Sequence, residues 1–259
     1  MSALPLFMKQ RDHQPLTVAI VGASGGIGQA IVNELLQSGI VDTLYACGRS
    51  PLPVSEYTRD ASSIINVPLD FADADSIEQA ASNIKAQGKG LDIVLVTTGI
   101  LHTEAGLKPE KSVSQLSLEN FTESMLVNAL GPALIAKYFL SLINKTQLTF
   151  FGALSARVGS ISDNSLGGWH SYRASKAALN MLLKNVAIEY KRKLPKLIVA
   201  GLHPGTVATD LSAPFQKNVP KHTLFTPAYS AKHLLAVIDT LSYDDSGQCF
   251  AWDGQVILP

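Results

Sequence analysis

Cysteine is nearly missing from this chain of 259 residues: Cys47 and Cys249 are the only two, too few for a disulfide framework or a zinc site, so no metal is expected. Charge of one sign is not in excess either. Lys and Arg number 21 against 21 Asp and Glu, so the basic surplus of a nucleic-acid binder is lacking and a phosphate backbone is not an expected partner. No run approaches roughly 18 consecutive apolar residues, which argues against a membrane partner. The first residues, MSALPLFMKQRDHQPL, hold neither a long apolar stretch nor a small-residue cleavage site, and the expected location is cytoplasmic. Hydrophobic residues make up 46% and charged residues 16%, enough apolar surface to bury a sizeable core and too much for a disordered chain.

Short apolar runs alternate with stretches of helical period. Strands are predicted at Thr17–Gly22, Leu44–Cys47, Asn66–Leu69, Ile93–Val96, Leu148–Gly152, Leu197–Leu202 and Cys249–Trp252. Between them, helices are predicted at Ile27–Ser38, Asp73–Ala86, Phe121–Ile143, Tyr172–Tyr190 and Thr226–Leu241. The alternation implies βαβ units, a parallel sheet and an α/β class. No linker or repeat divides the chain. Residues 1–259 therefore read as one domain, with a short tail over 1–15 and a candidate substrate loop over 211–225.

Gly22-Ala23-Ser24-Gly25-Gly26-Ile27-Gly28 falls between the first strand and the first helix. Glycines in that position allow a tight turn, admit a pyrophosphate close to the backbone and let helix and strand pack closely; the N–H groups of the helix start then hold the anion. At the end of the second strand a carboxylate would favour NAD by accepting from the ribose hydroxyls. This chain has Gly48-Arg49-Ser50 there, and a guanidinium suits a ribose 2′-phosphate, so NADP(H) is expected with Arg49 as the discriminator. Further along, Tyr172 and Lys176 stand four residues apart at the start of a helix and so share one face. An ammonium beside a phenol favours the phenolate, which makes tyrosine usable as an acid/base.

With these motifs in place, the chain resembles the short-chain dehydrogenase/reductase family over essentially its whole length. VGASGGIG (21–28), LDFAD (69–73), VNALGP (127–132), YRASK (172–176) and HPGTVATD (203–210) carry the likeness, and 155–180 looks most like the C-factor and sniffer-type carbonyl reductase branch. The resemblance implies a single Rossmann-type, doubly wound domain whose parallel sheet has about seven strands. It implies hydride transfer between a nicotinamide and a small carbonyl or alcohol, and assembly as a homodimer or homotetramer. By position, Tyr172 is the acid/base, Lys176 holds the nicotinamide ribose and lowers the tyrosine pKa, and Asn128 supports a water-linked relay to that lysine. Cofactor contacts fall on Gly22, Ser24, Gly25, Gly26, Ile27, Gly28, Arg49, Asp70, Phe71, Gly99, Pro204, Gly205, Val207 and Thr209. The family's substrate-positioning serine corresponds to Gly159 here, so Ser155 takes the role with Ser160 as rival. A non-catalytic, cofactor-binding signalling protein of the C-factor type is the alternative.

Overall fold

The computed structural model describes residues 4–53 and 64–259. The first strand, β1 (Leu16–Val21), is buried at every position, as a β-branched run covered on both faces must be. It joins β2 (Val41–Gly48), β3 (Ile64–Pro68), β4 (Ile93–Val96), β5 (Thr149–Leu154) and β6 (Leu197–His203); two short strands, β7 (Thr206–Val207) and β8 (Leu224–Phe225), pair apart from them. With β9 (Gln248–Ala251) and β10 (Val256–Ile257), the main sheet runs β10-β9-β6-β5-β4-β1-β2-β3. It has eight strands, one more than the seven expected. The addition is β10, which turns back antiparallel on β9. One face packs on α2 (Gly26–Gln37) and α7 (Pro227–Thr240) through Ile31, Leu35, Leu234 and Ile238. The other packs on α3 (Ala74–Ala86), α5 (Gly131–Phe139) and α6 (His170–Tyr190) through Ile77, Ile84, Ile135, Phe139, Leu179 and Leu183.

The helix predicted over 121–143 runs over Leu118–Leu142 and changes its winding within that span. It consists of α4 (Leu118–Met125), a widened π turn over Leu126–Leu130, α5 and a closing 3₁₀ turn. Pro132 explains the widened turn, because it has no N–H to close an α-helical bond on the carbonyl of Asn128, four residues earlier. Leu118–Leu142 is long and apolar enough to cross a membrane by composition, and half of it is buried inside the domain.

From Leu4 onward, the segment read as a tail is docked. Its helix α1 (Pro5–Lys9) buries Phe7 and Met8, and the Phe7 N–H donates to Asp239 at 2.8 Å. The Arg11 guanidinium, 1% exposed, pairs with Asp92 at 2.7 Å and donates to the Leu148 carbonyl. Asp92 also accepts from Thr17 N at 2.9 Å and from Asn144 Nδ2 at 3.1 Å. This network closes the ends of β1, β4 and β5 opposite the strand ends that open the cleft.

Candidate active site

The strand order reverses between β1 and β4, and a parallel sheet leaves a crevice at the carboxyl ends of the strands on either side of such a point. Gly25 caps α2 without any side-chain bond, so the first N–H groups of that helix face the crevice unshared. Gly22 sits at φ +88°, a left-handed conformation that glycine adopts without strain. A methyl group on Gly28 would overlap the Gly22 carbonyl oxygen. The turn therefore admits only glycine at both places, and it shapes an anion cradle.

Above it lies a cavity of about 580 Å³. Gly22, Ser24, Gly25, Gly26, Ile27, Gly28, Arg49, Asp70, Phe71 and Gly99 all line it, as expected from the sequence. Arg49 is exposed at its rim and makes no ion pair among the described residues. Phe71 is buried with its ring on Gly131, so it braces the wall more than it offers a face.

A second cavity, of about 310 Å³, is lined by Ser155, Tyr172, Lys176, Pro204, Gly205, Val207 and Thr209. Ile27, Thr97, Thr98, Gly99, Thr209 and Leu211 border both spaces, which makes them one continuous cleft. The cradle and the Tyr172–Lys176 pair thus open on a shared space, although they lie far apart in the chain. The glycine-rich turn, its uncapped helix start and the adjoining cleft fit a dinucleotide.

Lys176 Nζ donates to the Leu154 carbonyl at 2.8 Å and stands 5.8 Å from the centre of the Tyr172 ring. Burial dominates both groups: it pushes the Tyr172 phenol up to about 12 and the Lys176 ammonium down to about 8. The lowering of the tyrosine expected from the nearby lysine is not found: loss of water around the phenolate sets the shift. At neutral pH the phenol holds its proton.

Asn128 does not reach the cleft. Fully buried in the π turn, it accepts from Ile100 N at 2.8 Å and donates to Ile100 O at 2.9 Å and Ser175 Oγ at 3.1 Å. Its carboxamide ties the strand end after β4 to α6. A Cβ on Gly99 would meet both Asn128 Oδ1 and Lys176 Nζ, at 3.3 and 3.5 Å, so the two groups meet behind that glycine.

Of the two serines, only Ser155 lines the cleft. Its hydroxyl donates to Asn180 Oδ1 at 2.6 Å. Ser160 is buried beside Ser162 and accepts from Asp163 N at 3.1 Å. We expect Ser155→Ala to lower kcat by tenfold or more, in the range of a lost positioning hydrogen bond, and Ser160→Ala to leave it within about twofold. The two turnover numbers, measured side by side, check this.

The sequence reading passed over several residues here. Glu110 is 2% exposed; its carboxylate accepts from the Ser171 N–H and hydroxyl, and its backbone carbonyl from Trp169 N. It caps α6, whose own N-cap residue offers no side-chain bond, and so fixes the turn that bears Tyr172. The cap comes from a distant loop, so no local motif announces it. Bonds to Ser171 and the neighbouring His170 more than offset its burial, holding the Glu110 carboxyl below its usual value. His203, left out of the sequence assignment, lines the cleft, and burial drives it down to about 4 so that it is neutral.

The sequence profile of the short chain dehydrogenase family matches residues 16–220. This chain belongs to that family. Membership makes it an oxidoreductase of the nicotinamide-dependent kind. A Rhodococcus enzyme, 1-hydroxy-2-glutathionyl-2-methyl-3-butene dehydrogenase, is 31% identical over 240 residues, 92% of this chain and 97% of the relative. C-signal of Myxococcus xanthus is 30% identical over 143 residues, 55% of this chain and 81% of its own. Among solved structures, the NADPH-bound carbonyl reductase from chicken fatty liver superposes with a TM-score of 0.82 at 27% identity, covering 95% of this chain and all of that one.

Proposed function

We propose that the protein is an NADP(H)-dependent reductase of small carbonyl compounds. The observation that carries this reading is the continuity of the glycine cradle with the space in front of Tyr172 and Lys176. When bound there, a nicotinamide would supply the hydride for the carbonyl carbon. Tyr172 gives its proton to the carbonyl oxygen, balancing the hydride, and Ser155, its hydroxyl turned from Asn180 toward the substrate, orients that oxygen. Lys176, on α6 and bonded to the last carbonyl of β5, would hold the nicotinamide ribose, while Asn128 ties α6 to the segment after β4 and Glu110 caps its first turn. The NADPH-bound relative supports the choice of cofactor, and Arg49 at the rim supports it independently.

Arg49→Ala should reduce the preference for NADPH over NADH by tenfold to a hundredfold, the loss of about 1.5–3 kcal/mol of charge-assisted bonding. The ratio of kcat/KM for the two cofactors measures it, and an unchanged ratio removes the assignment. A signalling protein of the C-signal kind needs no acid/base. If cofactor binds but no carbonyl in a broad panel is reduced, that alternative replaces the reductase. Leu118, Phe121, Met181 and Ile188, exposed on α4 and α6, support pairing of subunits through those helices. Two free, buried cysteines suit the cytoplasmic location expected from the sequence.

A further inference from the structure

Gly167, Gly168 and Trp169 have φ of +63°, +64° and +51°, three successive residues in the left-handed region just ahead of α6. For a tryptophan this conformation is costly and persists only where its surroundings impose it. Here they do. Trp169 N donates to the Glu110 carbonyl, Arg173 N donates to Trp169 O at 2.8 Å, and Arg173 Nε donates to Gly168 O at 3.1 Å. The backbone is held so that the indole lines the smaller cavity, 6.2 Å from the Tyr172 ring and edge-on to it.

Across from this anchor lies the segment expected to form a substrate loop. Its 3₁₀ turn Ala213–Asn218 brings the Phe215 ring to 5.2 Å from Trp169. The imidazole of His102 also meets Phe215, edge-on at 5.9 Å, and its Nε2 bonds the Asp210 carbonyl at 3.0 Å, fastening the loop to the segment after β4. Leu101, Val158, Leu211 and Val219 supply further apolar lining. Among the described residues, no carboxylate and no guanidinium lines this space, and its charged group, Lys176, lies at the reacting end with a proton given to Leu154. A substrate carboxylate held against the apolar wall of this space would lose its water without gaining a charged partner there.

We infer that Trp169 determines specificity at this site, and that its substrates are neutral carbonyl compounds whose non-reacting part is a planar apolar group, of the aryl ketone kind, packed on the wall of Trp169 and Phe215. The inference deepens the reductase reading and rests on it for the position of the carbonyl. A space of about 310 Å³ stands at the lower end for small-molecule sites and is shared with the nicotinamide, which suits a single ring.

Three ketones separate ring from charge: acetophenone, phenylglyoxylate (a carboxylate in place of the methyl on the carbonyl carbon) and butanone (no ring). With NADPH, acetophenone should be reduced with kcat/KM at least tenfold above either of the others. Trp169→Ala should raise its KM about tenfold with little change in kcat and leave butanone unaffected, while Trp169→Phe restores most of the loss. Phe215→Ala tests the same wall from the other side should Trp169→Ala fail to fold. The chain has two tryptophans, Trp169 and Trp252, so in a Trp252→Phe background Trp169 is the one emitting indole. Acetophenone should quench it saturably in the NADP⁺ complex and phenylglyoxylate should not. Saturable quenching without turnover of any carbonyl would uphold the aryl-binding wall of Trp169 and Phe215 and overturn the reductase reading. Absence of quenching, equal handling of phenylglyoxylate or butanone, or an unchanged KM in both wall variants would overturn the inference itself.

Discussion

Tyr172→Phe should lower kcat for carbonyl reduction by about 10²–10⁴-fold while NADPH binds with nearly unchanged affinity. The substitution removes one oxygen and leaves the ring that packs edge-on against Trp169, so the cleft keeps its shape. A proton must reach the carbonyl oxygen as hydride reaches the carbon, and among the residues around the cleft Tyr172 is the group with a dissociable proton and a place on the same helical face as Lys176. Single-turnover rates and cofactor titration by fluorescence measure the two effects separately. Activity within tenfold of the native chain would remove Tyr172 from its role. The sign of the pH dependence follows from burial. With the phenol held up to about 12, reduction has its proton donor throughout the neutral range. Alcohol oxidation needs the phenolate, whose fraction grows about tenfold for each pH unit below that value. Oxidation should therefore accelerate with rising pH across neutrality, and reduction should not.

Arg11→Met should destabilise the fold by about 3–5 kcal/mol, because it leaves the Asp92 carboxylate buried without its counter-charge. For a chain of this length that corresponds to a fall in melting temperature on the order of 10 °C. Arg11→Met combined with Asp92→Asn should recover much of the loss, since no uncompensated charge then remains, although Asn cannot replace both bonds that Asp92 accepts from Thr17 and Asn144. Thermal or urea unfolding followed by circular dichroism reads all three proteins. A loss below about 1 kcal/mol would mean that the first residues are a tail after all.

Where local chemistry sufficed, the sequence reading and the structure agree. The β-branched run before Gly22, the glycines themselves and the four-residue spacing of Tyr172 and Lys176 each act within one turn or one strand, so each is visible in a short window. The antiparallel return of β10 was not visible, since two residues carry no periodicity. The π turn at Asn128 followed from Pro132, a legible signal that the apolar pattern around it concealed. Arg11 looked like an ordinary charge in a polar tail, because its partner Asp92 lies on another strand. Glu110 likewise had no local signature, being a cap delivered to α6 from a loop.

By itself the sequence determined the alternation of strands and helices, the phosphate-binding turn and the residue types able to move a proton, because these depend on backbone freedom, period and side-chain chemistry over a few residues. Only the tertiary structure decided which of those groups share a cleft, that Ser155 and not Ser160 borders it, and that burial sets the state of Tyr172. Such outcomes depend on water excluded and partners supplied by segments distant in the chain, and no short window of sequence contains them.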